Sequence, residues 1–266
     1  MCNPVAGLDG PRLVVALVSL RERNDGSTYY SDFFKDRLVM PIRDPHDPTG
    51  QAILGFLGRR NPTKTDDDYA GPKYLNTRTT PVFTKGEALF GYAETRDLLT
   101  NGALPVIVEG PMDALAITLG SHGTAVGIAP MGTALTIDQI KLLRSHVDLV
   151  DARYRIAVAT DSDPAGWTSA RKAFWHLTAA DLDPTHLELP DGLDPAKLFE
   201  TEGADAITAA VDNRRPLGDA MVDHLLRTAG PWSDTDVRQQ IIHHAARILG
   251  SRGAENWLDE FERLRN

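Results

Sequence analysis

A single cysteine, Cys2, is all the thiol this chain contains. That excludes an internal disulfide framework and any zinc site built on cysteine. No apolar run approaches the roughly 18 residues that a membrane span requires. The longest, Leu13 to Val18, is far shorter and lacks the cleavage site of a secretory leader. The histidines show no metal-ligand spacing: His46 lies in a turn and His243 and His244 in a helical stretch, all three expected at the surface. Internal repeats and low-complexity tracts are missing as well. The expectation is a soluble cytoplasmic protein with no membrane association and no structural zinc.

What is present is an ordinary globular composition: 266 residues, 42% hydrophobic and 24% charged, enough for one large domain or two to three packed subdomains. The formal net charge of −9 argues at first against a nucleic-acid partner. Its distribution changes that reading. Residues 1–100 carry 13 Lys+Arg against 13 Asp+Glu, whereas residues 101–266 carry 15 against 24. A local basic patch in the first part therefore remains possible, and a patch matters more than the sum.

The hydrophobic pattern divides the chain into an α+β segment over 1–100, a strand–helix alternation over 101–213 and a helical tail over 214–266. Residues 1–30 hold one possible strand and a polar turn at Asn24-Asp25-Gly26-Ser27. Leu38 to Ile42 reads as a strand, placed at an edge by Pro41, and Ala52 to Phe56 as its return strand across a Pro/Asp/Gly turn. Thr84 to Leu99 is expected to be partly helical. From Pro105, strands near 105–108, 125–129, 155–160 and 186–189 alternate with helices near 111–119, 136–144 and 165–178, the signature of a parallel sheet with crossover helices. Gly120 and Gly123 fit a helix C-cap and turn. Residues 195–212 read as helical, and everything after Arg214-Arg215-Pro216 as helix.

Two acidic motifs stand directly after apolar strands. Val106-Ile107-Val108 leads into Glu109-Gly110-Pro111-Met112-Asp113, and Ile156-Ala157-Val158-Ala159 leads into Asp161-Ser162-Asp163-Pro164-Ala165-Gly166. Carboxylates there lie at the carboxyl edge of the sheet, where open α/β folds bind ligands. Brought together they repel by about 4 kcal/mol per pair at contact distance and an effective dielectric near 20. A divalent cation relieves that repulsion, and all-oxygen donors suit magnesium or manganese.

Each acid also has a plainer use. Gly110 permits a sharp turn, and Asp113 suits a helix N-terminus. Asp163 before Pro164 suits an N-cap at an ordinary helix opening, which leaves Asp161 buried at a strand end without a partner. Asp194, in Asp191-Gly192-Leu193-Asp194-Pro195, is either a supporting acid or an N-cap. Met131-Gly132-Thr133-Ala134-Leu135-Thr136 opens the next helix, where amides near Gly132 meet a phosphate or Thr136 merely caps. In the first part, Arg37, Arg43, Arg59, Arg60, Lys73 and Lys85 are spaced cations; Lys73 and Lys85 adjoin proline or glycine and either reach toward a polyanion or form solvated surface.

These residues together resemble a known family. Val-Glu-Gly-Pro-Met-Asp and Asp-Ser-Asp-Pro-Ala-Gly are similar to the Toprim domain of bacterial primases, topoisomerases and some nucleases. Upstream, Asp36-Arg37 through Asp44, Gly55 to Arg59, Pro72 to Asn76, and Phe83 to Gly86 through Leu89-Phe90-Gly91 resemble, in order, the amino-terminal part of the bacterial primase catalytic core. Leu189 to Pro195 resembles that core too, and coverage runs from about residue 28 to 230.

The resemblance implies an α/β protein: a central Toprim, Rossmann-like parallel sheet over 101–213, preceded by the core's amino-terminal α+β subdomain over 1–100 and followed by a helical tail over 214–266. It implies synthesis of short RNA primers on a single-stranded DNA template from nucleoside triphosphates. Glu109, Asp161 and Asp163 would hold two Mg2+ or Mn2+ ions, with Asp113 and Asp194 in support. Arg37, Arg59, Lys73 and Lys85, with Gly132, would bind triphosphate or template, and Lys73 and Lys85 would act in catalysis.

The departures are specific. The family's upstream zinc-binding domain has no counterpart in these residues, no helicase-interaction domain is evident, and Ala196 stands where the family often has an aspartate. The first thirty residues are short for the full amino-terminal subdomain. The expectation is a reduced core or part of a larger machine, aided by a helicase or another template-delivering partner. A Toprim metal-dependent nuclease and a non-catalytic nucleic-acid-binding subunit are the alternatives.

Overall fold

The computed structural model describes residues 18–64, 71–80, 83–84, 86–131, 135–146, 156–161, 163–190, 192–231, 233–251 and 261–262. The chain falls into two compact units, Met1–Ala88 and Leu89–Asn266. Among the described residues no helix is long and apolar enough to cross a membrane.

The first unit is antiparallel. β1 (Val18–Glu22) and β2 (Thr28–Asp32) pair as a hairpin from Val18↔Asp32 to Glu22↔Thr28, so residues 18–32 hold two strands where one was expected. Their alternation is weak because most of both strands is exposed, and the turn chemistry decides the pairing instead. Gly26 takes φ 79°, and the Asp25 carboxylate accepts from the Ser27 amide and hydroxyl at 2.9 and 2.6 Å.

β3 (Arg37–Arg43), β4 (Ile53–Arg60) and β5 (Tyr74–Asn76) form a three-stranded sheet in that order. Pro41 is tolerated because β3 is an edge. Met40 and Ile42 point inward beside Leu57. Phe34 lies over β4 so closely that a Cβ on Gly58 would stand 2.4 Å from its ring. The connecting turn is drawn in by Asp47, whose carboxylate accepts from the amides of Thr49, Gln51 and Ala52 and is held well below the usual carboxylate range.

The second unit is built on a six-stranded sheet ordered β11-β10-β9-β7-β8-β6. Its centre is parallel: β7 (Leu104–Val108), β8 (Ala125–Pro130), β9 (Ala157–Ala159) and β10 (Thr185–His186). Every residue of β7 is buried, as expected for a strand covered on both faces. The edges β6 (Leu89–Phe90) and β11 (Arg215–Pro216) run antiparallel to β8 and β10.

The helices are α1 (Arg96–Thr100), α2 (Pro111–Gly120), α3 (Ile137–His146), α4 (Pro164–Thr178), α5 (Pro195–Glu202), α6 (Ala204–Asp212), α7 (Leu217–Thr228) and α8 (Thr235–Ser251). The core joins Val126, Ile128 and Val158 of the sheet to Phe174, Leu177, Val222 and Leu249 of the helices. The mixed α/β architecture with a parallel central sheet is the one expected.

Several local expectations change. The helical stretch 195–212 breaks in two at Gly203, which sits at φ 82°. Arg215 and Pro216, between the two helical stretches, add a short strand that was not foreseen, and Arg215 is fixed there by ion pairs to Glu188 and Asp223. Gly120 is the last residue of α2 rather than its cap. It is small because Ile207 of α6 packs on it, 2.7 Å from where a Cβ would be, whereas Gly123, at φ 84°, makes the turn.

Candidate active site

β7 and β9 are hydrogen-bonded neighbours, paired in parallel up to Val108↔Ala159. Chain order would have put β8 beside β9, but the crossover places β8 on the far side of β7. The residues that leave the two adjacent strand ends therefore meet at one edge. Glu109 follows β7, and its carboxylate accepts the backbone N–H of Asp161, which follows β9 beyond buried Thr160. Partial loss of solvent and then the charge of Asp161 raise the Glu109 carboxyl above its usual value, with Asp163 and Asp113 adding to the effect. The acids feel one another.

The buried carboxylate is Asp113, not Asp161. Asp113 is 9% exposed, while Asp161 is half-buried and is held through its backbone to Glu109. Asp113 reaches back from the first turn of α2 to accept the Gly110 amide at 3.1 Å, and it accepts the Ala196 amide of α5 at 3.2 Å. Burial and the nearby Asp194 push its carboxyl up to about 6 against the pull of those two amides. Gly110 is extended, at φ −132° and ψ 160°, a conformation open to any residue, so no sharp turn needs it.

Asp163 and Asp194 both cap helices. Asp163 accepts the Gly166 amide at 2.7 Å at the start of α4, and Asp194 accepts the Lys197 amide at 2.6 Å at the start of α5. Each cap directs one carboxylate oxygen at its helix.

The opening of α4 is not ordinary. A Cβ on Gly166 would lie 1.9 Å from the Asp161 carbonyl oxygen, so only glycine lets this helix turn sit on the backbone that carries Asp161. A glycine in a first helical turn, where it lowers helix propensity, was the available signal. Thr136 and Gln139 cap each other's backbone at the start of α3, at 2.9 and 3.2 Å. Gly132 lies outside the described residues.

Among the described residues no three acidic, histidine or cysteine side chains stand close enough to form a ready metal cage. The donor set still has the chemistry of a hard-cation site: oxygen ligands only, two carboxyls raised by lost solvent and then by neighbouring carboxylates, and an excess of negative charge that a divalent ion would cancel.

The expected cations lie in the first unit. Arg37 is half-buried and donates to the carbonyls of Gly58 and Pro72 at 3.2 and 2.8 Å, tying the 71–73 segment to β4; burial and neighbouring Arg60 lower its pKa. Arg60 donates to the Gly71 carbonyl at 2.7 Å, and Arg43 to that of Gly50 at 2.9 Å. Arg59 and exposed Lys73 share the Tyr74 ring, at 4.9 and 5.8 Å from its centroid. Lys85 is outside the described residues.

Known proteins are similar to this chain in sequence and fold. Residues 11–96 match the DNA primase catalytic core, N-terminal domain, and residues 106–199 match the Toprim-like family. A DNA primase domain from Pseudomonas aeruginosa, solved as a crystal structure, is 31% identical, with a TM-score of 0.66 over 95% of this chain and 73% of that one. The chain belongs to the DNA primase catalytic-core family. A DnaG primase catalytic domain solved bound to single-stranded DNA is also similar, at 28% identity and TM-score 0.67, over 92% of this chain and 73% of that one. The DNA primase of Aquifex aeolicus is 32% identical over 193 residues, which is 73% of this chain and 35% of that protein. The chain spans about a third of the length of such full-length primases.

Proposed function

We propose that this chain is a primer-synthesising nucleotidyltransferase core that joins ribonucleotides on a single-stranded DNA template. The observation that carries the reading is the meeting of Glu109 and the Asp161–Asp163 segment at the ends of neighbouring strands, in a chain of the primase-core family. Metal dependence goes with the Toprim family. Glu109, Asp161 and Asp163 are the ligands we assign to divalent magnesium or manganese, two ions in all, with Asp113 and Asp194 in support. A cation held by these carboxylates would supply charge neutralisation at the triphosphate and acidification of the attacking 3′-hydroxyl.

The chain's own residues do the rest. Asp163 keeps one oxygen on the Gly166 amide, which fixes its carboxylate at the start of α4. Asp113 braces the start of α2 against α5 through Gly110 and Ala196. Arg59 and Lys73, with Lys85, are assigned to triphosphate or template phosphates; Arg37 shapes the segment that carries Lys73, and the Gly132 region is assigned to phosphate binding in the second unit. Residues 1–100 form the template and nucleotide side, 101–213 the metal-binding part and 214–266 a helical subdomain. Template delivery falls to a partner such as a helicase, because the chain's net charge of −9 repels a strand at long range.

The test is incubation with single-stranded DNA, labelled ribonucleotides and magnesium or manganese. Short RNA products that vanish with Asp161→Asn and Asp163→Asn, while the variants keep their fold and lose metal affinity, support the reading. Cleavage of the DNA without synthesis would assign the same carboxylates to a nuclease. Undiminished synthesis by either variant would remove them from the site.

A further inference from the structure

Away from the carboxylates, the second unit holds a cleft of about 490 Å³ between α4, α7 and α8. That volume falls within the range of small-molecule pockets. Trp167, Arg171 and Trp175 line it from α4 at a spacing of four residues, which puts them on one helical face. His224 of α7 stacks on Trp167 with ring centroids 4.1 Å apart and 17° between planes. Arg247 of α8 lies over the Trp175 ring at 5.4 Å, and His244 completes the lining.

The charge of this lining is unlike its surroundings. No Asp or Glu is among the described residues that line the cleft, although residues 101–266 carry 24 acids against 15 bases. Arg171 is exposed and has no hydrogen-bond or ion-pair partner among the described residues, so its five donors are available. Two guanidinium groups beside indole and imidazole rings, without a counter-charge among the described residues that line the cleft, ask for a ligand that is both flat and anionic. A cation is repelled, an acidic peptide leaves the aromatic lining unused, and an acyl chain leaves the arginines unused. A nucleobase with a phosphate satisfies both, since bases stack on aromatic faces and arginine forks grip phosphate oxygens.

We propose that this cleft is a nucleotide site separate from the carboxylate centre, taking a base beside the Trp167–His224 stack and the 5′-phosphate on Arg171 and Arg247. Pro164 borders the cleft and directly follows Asp163, so an occupant would lie beside the first turn of the helix that Asp163 caps. Binding here does not depend on the chain making primers.

The experiment uses the full chain in EDTA, where the metal-free carboxylates repel phosphate. AMP and a 5′-phosphorylated thymidine 12-mer are titrated by calorimetry and by quenching of tryptophan fluorescence. Saturable binding is expected, stronger for AMP than for adenosine. Arg171→Ala and Arg247→Ala should each weaken it about tenfold, the loss of one charge-assisted phosphate contact. Displacement of the 12-mer by AMP marks a site for free nucleotide. Binding of the 12-mer that AMP cannot displace, yet Arg171→Ala weakens, marks a strand end as the occupant. The proposal is overturned if neither probe saturates, or if Arg171→Glu, with its melting temperature unchanged, binds both as the wild type does.

Discussion

Protonating His186 should cost this protein a large part of its stability. The imidazole is 7% exposed on β10, beside the Trp167 ring at 5.3 Å and near the Arg215 guanidinium, and its buried Nδ1 has no hydrogen-bond partner among the described residues. Burial first, and then Arg215, push its pKa down to about 4, against about 6.5 in an unfolded chain. Above pH 6.5 both states are neutral there and the group is indifferent to pH. As pH falls below 6.5 the unfolded chain takes up a proton that the native state refuses, so stability is lost until native His186 titrates near pH 4. A difference of 2.5 units corresponds to about 3 kcal/mol, a large part of the 5–15 kcal/mol typical of a domain. The perturbation is His186→Phe, which keeps a ring against Trp167 and removes the titration. Urea denaturation of both proteins at pH 7.5 and pH 4, in EDTA, gives a difference free of every other titrating group. Wild type minus variant should become less favourable by about 3 kcal/mol from the higher pH to the lower. A constant difference would show that His186 is protonated in the native state and that its burial has been misjudged.

Asp113 should behave in the opposite sense: its carboxyl, raised to about 6, lends stability when protonated near pH 4 and loses it as pH rises through 6. Carboxyl-carbon NMR in EDTA should report a value near 6 that magnesium lowers; a value near 4 without metal refutes the account. Gly166→Ala should destabilise by about 1–3 kcal/mol through the clash with the Asp161 carbonyl, outweighing the roughly 1 kcal/mol that alanine gains in a helix, so a variant as stable as the wild type by thermal melting would contradict the close approach. Lys73→Ala should lower the slope of log affinity for single-stranded DNA against log salt by about 0.7, leaving metal affinity intact, and an unchanged slope would place Lys73 on idle surface.

Local pattern alone carried the two acidic motifs, the β3–β4 hairpin with its edge proline and the strand–helix rhythm from Pro105, because each follows from residues near in sequence. The apolar runs Val106–Val108 and Ile156–Ala159 read as strands and are buried, and the N-cap reading of Asp163 and Asp194 before proline, one of two open to each, is the local geometry found. The first hairpin was half-legible, since its strands lie exposed and show no alternation.

Which elements became neighbours was beyond local pattern. The crossover that seats β7 beside β9 brings Glu109 to the Asp161 amide, and the packing of α5 on α2 buries Asp113 and gives it the Ala196 amide, 83 residues away in sequence. A carboxylate is the same residue in either setting; its solvent, its partners and hence its pKa come from segments far along the chain. The same holds for Gly166, whose necessity lies in a backbone oxygen it must clear, and for Trp167, Arg171 and Trp175, whose spacing marks a helical face but whose cleft exists only once α7 and α8 close over it. Sequence determined the kinds of groups and their local geometry, and tertiary packing decided which of them lost water and which faced one another.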